Sequence, residues 1–163
     1  MLAATAHVDD FARQSLPSVE QWPEFHLDRF EYPERLNAAV ELTDAMVLKG
    51  FGDNTALLVN GRRRTYKQLS DWTNRLANVL VDDLGVKPGN RILIRSANNP
   101  AMVACWLAAT KAGAVVVNTM SMLREVELSA IIDKACITHA LCDTRLMEEL
   151  EACVANSATL HSV

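Results

Sequence analysis

The sequence predicts an α/β domain built on a parallel β-sheet, with a small hairpin near its beginning. After residue 88, short apolar segments without polar alternation recur, and helical patterns separate them. Strands that are apolar on both faces are typical of parallel sheets covered by helices on each side. We expect the connections between these strands to be right-handed crossovers.

Residues 1–32 are predicted to form an irregular N-terminal arm that follows the surface of a domain comprising residues 33–163. A helix is expected to begin at Pro33, because proline suits the first helical turn, and to end at Gly50. Its apolar positions have the spacing of one helical face: Leu36, Ala39, Val40, Thr43, Met46 and Val47.

Residues 56–85 have the pattern of a hairpin followed by a capped helix. Ala56–Val59 and Arg62–Arg64 should be its strands, joined by an Asn60-Gly61 turn. Thr65 and Gln68 have the spacing of a capping box. The apolar stripe of the helix is predicted at Leu69, Trp72, Leu76, Leu80 and Leu84.

Helices and strands alternate in the remaining sequence. The predicted strands are 92–94, 114–117 and 137–142, and the predicted helices are 99–112, 124–135 and 145–154. Leu160–Val163 has the pattern of a further strand that is only beginning. We therefore expect the chain to be part of a longer protein, truncated at its C-terminal end.

Composition narrows the class of protein. Of the 163 residues, 50% are hydrophobic and 22% are charged, which is typical of a folded domain with a real core. The net charge of −4 does not favour nucleic acid as a partner. The chain shows neither a secretory signal nor an apolar run of the ~20 residues that span a bilayer, so we expect a cytoplasmic protein with reduced cysteines.

Three predicted loops should meet at the carboxyl edge of the sheet, where open α/β sheets bind ligands. They are Ser96–Asn99, Asn118–Met122 and Asp143–Arg145, and all are rich in small hydroxyl and amide groups. The alternative interpretation is that Asn99, Ser121 and Thr144 simply cap the helices that follow.

Several common sites have no support in the sequence. Neither glycine-rich phosphate-binding motif is present, so we expect no nucleotide site within this chain. Cys136, His139 and Cys142 lack a zinc-ligand pattern, and strand alternation would place His139 opposite the cysteines, which we interpret as core thiols. The run of three arginines at 62–64 is interpreted as a solvated edge, and Trp72 and Trp106 as core residues. No catalytic residue and no metal ligand are assigned.

Four motifs follow one another in order along the chain. Gly61–Leu69 matches the pattern G-x-x-x-T-Y-x-E-L except at Gln68, and Pro88–Ile92 is similar to P-G-D-R-V. Leu107–Val117 matches L-A-x-x-K-A-G-A-V-x-V, and Glu127–Ala135 continues as E-L-x-x-I-I-D-K-A. Together they resemble the adenylate-forming acyl-CoA synthetases over about residues 25–163.

Two further segments indicate a branch of that family. Tyr32–Ala39 and Asn118–Arg124 are most similar to the benzoate and 2-aminobenzoate CoA ligases. The chain departs from many relatives at Asn118 and Ser121, where they carry proline.

The resemblance implies a parent enzyme that activates an aromatic carboxylic acid with Mg-ATP. The carboxylate would attack the α-phosphate, pyrophosphate would leave, and the thiol of coenzyme A would displace AMP. In this family the phosphate loop, the ribose-binding acid and the late catalytic lysine lie beyond the position of Val163. We therefore expect this chain alone to be inactive and to bind no ATP, Mg²⁺ or coenzyme A, and we expect no membrane partner.

The resemblance also implies roles for four residues. Arg145 follows the strand predicted at 137–142, where some relatives contact the phosphates of coenzyme A with an arginine. The alternative interpretation is a residue at the start of a helix that faces water. Met120, Ser121 and Met122 would line an acyl or pantetheine channel.

Unprotected strand edges and apolar faces predict self-association of the chain, most simply as a homodimer. Two alternatives to the ligase stay open at this point: a stand-alone α/β binding or interaction module without catalytic activity, and a flavodoxin-like domain. Continuation beyond Val163 into a phosphate loop rich in Gly, Ser and Thr would favour the ligase.

Overall fold

A three-stranded parallel sheet and a separate antiparallel hairpin organise the chain. The structure, a computed structural model, describes residues 5–26 and 29–163. Its strands are β1 (Thr55–Val59), β2 (Arg62–Thr65), β3 (Arg91–Arg95), β4 (Val115–Thr119) and β5 (His139–Cys142). β1 and β2 form the hairpin, and β3 lies between β4 and β5 in the parallel sheet. The predicted α/β class with a hairpin near its beginning is confirmed.

Helices flank these strands. In the described residues they are α1 (Phe11–Gln14), α2 (Ala38–Leu42), α3 (Asp44–Met46), α4 (Tyr66–Asn78), α5 (Pro100–Lys111), α6 (Glu125–Ala135) and α7 (Met147–Asn156). Turns of 3₁₀ helix occur at Val19–Gln21 and Thr144–Leu146, and turns of π-helix at Val47–Phe51 and Val79–Asp83. None of the helices that the structure describes is long and apolar enough to cross a membrane.

Local sequence determines the hairpin and the beginning of α4, as predicted. Asn60 and Gly61 both have positive φ, 50° and 74°, which a tight hairpin turn requires. Thr65 and Gln68 form the complete capping box: the backbone N–H of each residue donates to the side-chain oxygen of the other, at 3.0 and 3.2 Å.

The helix predicted from Pro33 to Gly50 begins later and is interrupted. The side-chain oxygen of Asn37 accepts hydrogen bonds from backbone N–H groups in the first turn of α2, at 3.1 and 3.3 Å, and its amide donates to the Thr110 carbonyl at 3.0 Å. This contact with α5 positions the cap, and residues 33–37 are not helical. Thr43 has φ of −127° and separates α2 from α3.

Two strand boundaries also differ from the prediction. β5 begins at His139 because Cys136 ends α6 with a left-handed φ of 46°, so Cys136 is not part of the strand. β4 continues through Asn118 and Thr119, which the sequence placed in a loop.

The sheet is covered on both faces, and β3 is its buried centre. Alternation sends Leu93 to one face and Ile92 to the other. The cluster around Leu93 comprises Leu128, Ile132, Ile137, Ala140, Leu150, Cys153 and Leu160. The cluster around Ile92 comprises Leu80, Val86, Ala108, Ala109 and Ala114. A third cluster of Ala39, Leu69, Ala104 and Leu107 joins α2, α4 and α5.

Trp72, Trp106 and three of the four cysteines are less buried than core residues. Trp72 and Trp106 are partly buried and pack against the third cluster. Cys153 is the one fully buried cysteine; Cys105, Cys136 and Cys142 are partly buried, and all four are free thiols. Of the two cysteines interpreted as core thiols, Cys142 packs against the cluster around Leu93, whereas Cys136 is partly buried at the end of α6.

The N-terminal arm docks on the turn that precedes β3. The backbone N–H groups of Val8 and Asp9 donate to the Pro88 carbonyl at 2.9 and 3.0 Å. The Asp9 carboxylate forms an ion pair with the buried Arg91, whose guanidinium also lies 4.7 Å from the centre of the Phe11 ring. The arm thus covers the amino end of β3. Its boundary at residue 32 stays a prediction.

The segment 160–163 begins to pair with β5, as its pattern predicts. The backbone N–H of Ala140 donates to the Ser162 carbonyl at 2.8 Å, in a parallel bridge between His139 and Ser162. Leu160 is buried in the cluster around Leu93.

Candidate functional site

The carboxyl edge of the sheet is organised around Arg95, the last residue of β3, which is only 2% exposed. Its guanidinium donates hydrogen bonds to four main-chain carbonyls: Met120 at 3.1 Å, Ser121 at 3.2 Å, Leu123 at 2.8 Å and Leu146 at 3.2 Å. Three of these carbonyls belong to the loop after β4, and the fourth belongs to the turn after β5. One buried cation therefore ties two of the three predicted loops to the sheet.

The carbonyl dipoles stabilise the positive charge of Arg95. In the described part of the chain no carboxylate lies within salt-bridge distance of it. A buried charge is tolerated only when hydrogen bonds replace its hydration. The positive charge of Arg95 favours the thiolate of Cys142 at the end of β5. Burial has the larger effect, however, and raises the pKa of that thiol. Since thiolates are the nucleophilic form, the raised pKa makes this thiol less reactive.

Arg145 lies in the 3₁₀ turn after β5, at the same edge. Its exposed guanidinium binds both carboxylate oxygens of Asp143, Nε to Oδ1 at 3.0 Å and Nη2 to Oδ2 at 2.6 Å. Hydrogen bonds from the Arg145 side chain and backbone lower the pKa of Asp143 to about 2. The pair uses two of the five N–H donors of the guanidinium, so three donors can still face a ligand.

Met120, Ser121 and Met122 form the tip of the loop after β4. Their side chains are exposed, to 65% for Met120 and 79% for Met122, while Arg95 holds the backbone beneath them. Flexible thioether side chains on a held backbone form an adaptable apolar surface. This arrangement suits the predicted acyl or pantetheine contact, which stays a prediction.

The helix-capping alternative is correct for one of its three residues. The Asn99 side chain accepts from the Met102 N–H at 2.9 Å and caps α5. Ser121 caps no helix, since the residue before α6 is Arg124, and Asp143 rather than Thr144 accepts at the turn after β5.

Cys136, His139 and Cys142 do not converge. His139 is buried, and its Nε2 lies 3.0 Å from the Leu84 carbonyl, directed away from the carboxyl edge. Within residues 5–26 and 29–163, no group of three or more His, Cys, Asp or Glu side chains is placed to hold a metal ion.

Sequence reasoning missed Arg95 as a member of the site. A charged residue that directly follows the apolar run 92–94 could have indicated it, because an arginine at the carboxyl end of a buried strand must find acceptors in the neighbouring loops.

The loops at the carboxyl edge of a parallel sheet define the class of protein: an α/β protein that presents a ligand-facing edge. A family model described as AMP-binding enzyme matches residues 45–163. The chain belongs to the AMP-binding enzyme family, which confirms the predicted resemblance and excludes the flavodoxin-like alternative.

Several of the similar proteins are CoA ligases of aromatic acids. The 3-hydroxybenzoate/4-hydroxybenzoate CoA ligase of Thauera aromatica is 35% identical over 111 residues, covering 67% of this chain and 21% of that protein. The anthranilate CoA ligase AuaEII, solved with anthranoyl-AMP, has a TM-score of 0.69 at 23% identity over 76% of this chain and 24% of its own. A benzoate CoA ligase from Burkholderia xenovorans LB400 also has a TM-score of 0.69, at 23% identity over 78% of this chain and 25% of its own. The chain thus spans about a fifth of the length of the curated relative.

Proposed function

We propose that this chain is the N-terminal portion of an ATP-dependent CoA ligase for benzoate, 2-aminobenzoate or a close aromatic acid, acting in aromatic-acid degradation in the cytoplasm. The parent enzyme forms an acyl-adenylate from the acid and Mg-ATP, and then an acyl-CoA thioester. The portion described here folds as a scaffold and is inactive by itself.

One observation carries this proposal: the family match over residues 45–163 coincides with 35% identity to a hydroxybenzoate CoA ligase. The parallel sheet supports it, because the motifs Pro88–Ile92 and Leu107–Val117 form the adjoining strands β3 and β4 and the end of α5. Both motifs thus build the centre of the sheet whose carboxyl edge carries the predicted loops.

The role of this portion is to position loops for coenzyme A and the acyl group. Arg145 lies at the carboxyl end of β5 with an exposed guanidinium, as a contact to a nucleotide phosphate requires. Asp143 holds that guanidinium in place until a phosphate competes for its remaining donors. Met120 and Met122 offer apolar surface for the pantetheine or acyl chain.

The activity is tested by exchange of labelled pyrophosphate into ATP with benzoate, 2-aminobenzoate and 3-hydroxybenzoate. We expect exchange by the full-length gene product and none by the 163-residue chain. Benzamide, which lacks the attacking carboxylate, is the matched control and should support no exchange. Turnover by the chain alone would refute its inactivity, and exchange by the full-length product only with aliphatic acids would refute the aromatic substrate class.

The alternative of a stand-alone binding module makes a different prediction. It requires that the reading frame close after Val163, whereas the ligase requires a downstream phosphate loop rich in Gly, Ser and Thr. Sequencing the gene beyond this point separates the two.

A further inference from the structure

The hairpin and the beginning of α5 border an open cavity of about 680 Å³. The residues that line it are Leu57, Val59, Asn60, Arg62, Arg63, Arg64, Gln68 and Pro100. Three are apolar and five carry polar side chains, three of them cationic. The sequence pattern indicated a solvated edge here and no nucleotide site in the chain, because neither strand alternation nor the absence of glycine-rich motifs reveals that the hairpin faces a helix and forms a concave surface.

The charge in this cavity is not neutralised by the protein. No acidic residue lines it, and among the described residues no carboxylate lies within salt-bridge distance of Arg62, Arg63 or Arg64. By contrast, Arg91 and Lys111, in and beside the sheet, are each paired with an aspartate. The net charge of −4 conceals this local concentration of positive charge.

The polar groups that line the cavity are mainly donors. Strand register pairs Arg62 with Val59 and Arg64 with Leu57, so both arginines lie on one face of the hairpin. The guanidinium carbon of Arg64 lies 4.4 Å from the centre of a Trp72 ring, a stacking that leaves the N–H edge of the guanidinium available.

We propose that this cavity binds a small molecule that carries at least two phosphate groups. Arginine forks match phosphate oxygens in geometry and charge, and the two guanidinium groups on one face, Arg62 and Arg64, require two negative charges for balance because no carboxylate of the described residues pairs with them. The apolar side chains of Leu57, Val59 and Pro100 accommodate the uncharged part of the ligand. Since none of the loops around Arg95 supplies a guanidinium to this cavity, the proposal does not depend on the ligase function.

The test is calorimetric titration of the 163-residue chain with tripolyphosphate and with ADP at physiological salt. We expect binding of both probes that weakens as sodium chloride is raised. Arg62→Gln and Arg64→Gln should each weaken binding by about tenfold or more, which is the loss of a charge-assisted fork. Arg75→Gln, which removes an exposed arginine of α4 that lies outside the cavity, should leave the affinity within about twofold. Tighter binding of ADP than of tripolyphosphate would assign the apolar residues to the nucleoside.

Three results would overturn the proposal. They are the absence of saturable binding of either probe, equal effects of Arg62→Gln and Arg75→Gln, and tighter binding of a glutamate-rich peptide than of both phosphate probes. All three substitutions are at exposed positions, and circular dichroism checks that each variant is folded. Arg64→Lys, which keeps the charge but loses the fork and the stacking on Trp72, should bind more weakly than the parent chain and verifies the role of the guanidinium in a folded variant.

Discussion

Arg95 shows how much one buried side chain can organise. It lies where β3 ends and connects the backbone of two loops that are separate in sequence. The hydrogen bonds of its guanidinium in the described part of the chain all go to main-chain oxygens. A neutral side chain of similar length would leave these carbonyls without donors.

We predict that Arg95→Met lowers the free energy of unfolding by about 2–4 kcal/mol, since hydrogen bonds to a charged group are lost and buried acceptors are left unpaired. The measurement is urea unfolding, together with amide hydrogen exchange of residues 120–124, which should become faster. Arg75→Met removes an exposed arginine and should change stability by less than about 0.5 kcal/mol. Equal stability of the two variants would contradict the role given to Arg95.

At the scale of elements, Asp44 connects three helices. The carboxylate at the start of α3 accepts from Ser70 at 3.0 Å and Asn74 at 3.3 Å on α4, and it forms an ion pair with Lys111 at the end of α5. Partial burial alone would raise the pKa of Asp44, but the hydrogen bonds, that of Lys111 first, outweigh it and lower the pKa to about 2.

A pKa below the unfolded value makes this contribution dependent on pH. It is complete above pH ~5 and is lost as the pH falls toward ~2, because the unfolded chain then binds the proton more readily. We predict that Asp44→Asn destabilises the chain by about 1–2 kcal/mol at pH 7 and reduces the loss of stability between pH 5 and pH 2. Urea midpoints across this range measure it, with Asp71→Asn in the exposed Lys67 pair as the control. An acid limb as steep in Asp44→Asn as in the parent chain would refute the linkage.

Gly89 connects the arm to the sheet. Its φ is 92°, and a Cβ atom there would lie 2.0 Å from the carbonyl oxygen of Asp9. Gly85 also has positive φ, 69°, but its Cβ would meet nothing within 4 Å.

The two glycines therefore make a matched pair. We predict that Gly89→Ala detaches residues 7–11 and exposes them to limited proteolysis, whereas Gly85→Ala pays only the backbone strain of about 1 kcal/mol and keeps the arm docked. Cleavage kinetics in the arm measure the difference, and equal cleavage of both variants would contradict the close approach.

Elements with local determinants were predictable from the sequence. The Asn60-Gly61 turn, the Thr65/Gln68 capping box and the Asn99 cap of α5 each depend on residues a few positions apart. The late start of α2 was not predictable, because Asn37 is held by the Thr110 carbonyl of a distant helix. The candidate site was predictable to the same extent. The sequence indicated its loops but not the buried Arg95 that holds them, because the carbonyls that accept from Arg95 come from two other segments.

At the scale of the whole molecule, an apolar groove lies between α2, β1, α4 and α5. This groove of about 330 Å³ is lined by Leu42, Ala56, Tyr66, Leu69, Met102, Val103, Trp106 and Leu107. Leu48 and Leu58 lie on neighbouring elements and are 87% and 70% exposed. An exposed apolar groove is typical of a protein–protein contact.

We predict that the chain self-associates through this groove, most simply as a dimer. Light scattering at micromolar concentration should report a mass above that of one 18.0 kDa chain. Leu42→Glu, at the groove, should shift the equilibrium toward monomer. Val126→Glu introduces the same charge on α6 at a position 79% exposed and should not. A clean monomer, or equal effects of the two variants, would refute the prediction.

Strand order belongs to this scale as well and was not evident from the pattern. Three apolar segments indicated a parallel sheet, but the order β4-β3-β5, with the first strand at the centre, depends on crossovers that carry no local sequence marker. This order places the loops after β4 and β5 on the two sides of Arg95, which is why one guanidinium reaches both.

The docked arm has a practical consequence for experiments on this protein. Val8 is 72% exposed and lies beside the amino end of β3, whereas the loops held by Arg95 lie at the other end of that strand, four residues or ~13 Å away. A fluorophore attached at position 8 would report release of the arm while leaving the ligand-facing edge unobstructed. Release of the arm at one end of β3 could then be followed in the same sample in which a ligand is bound at the other end.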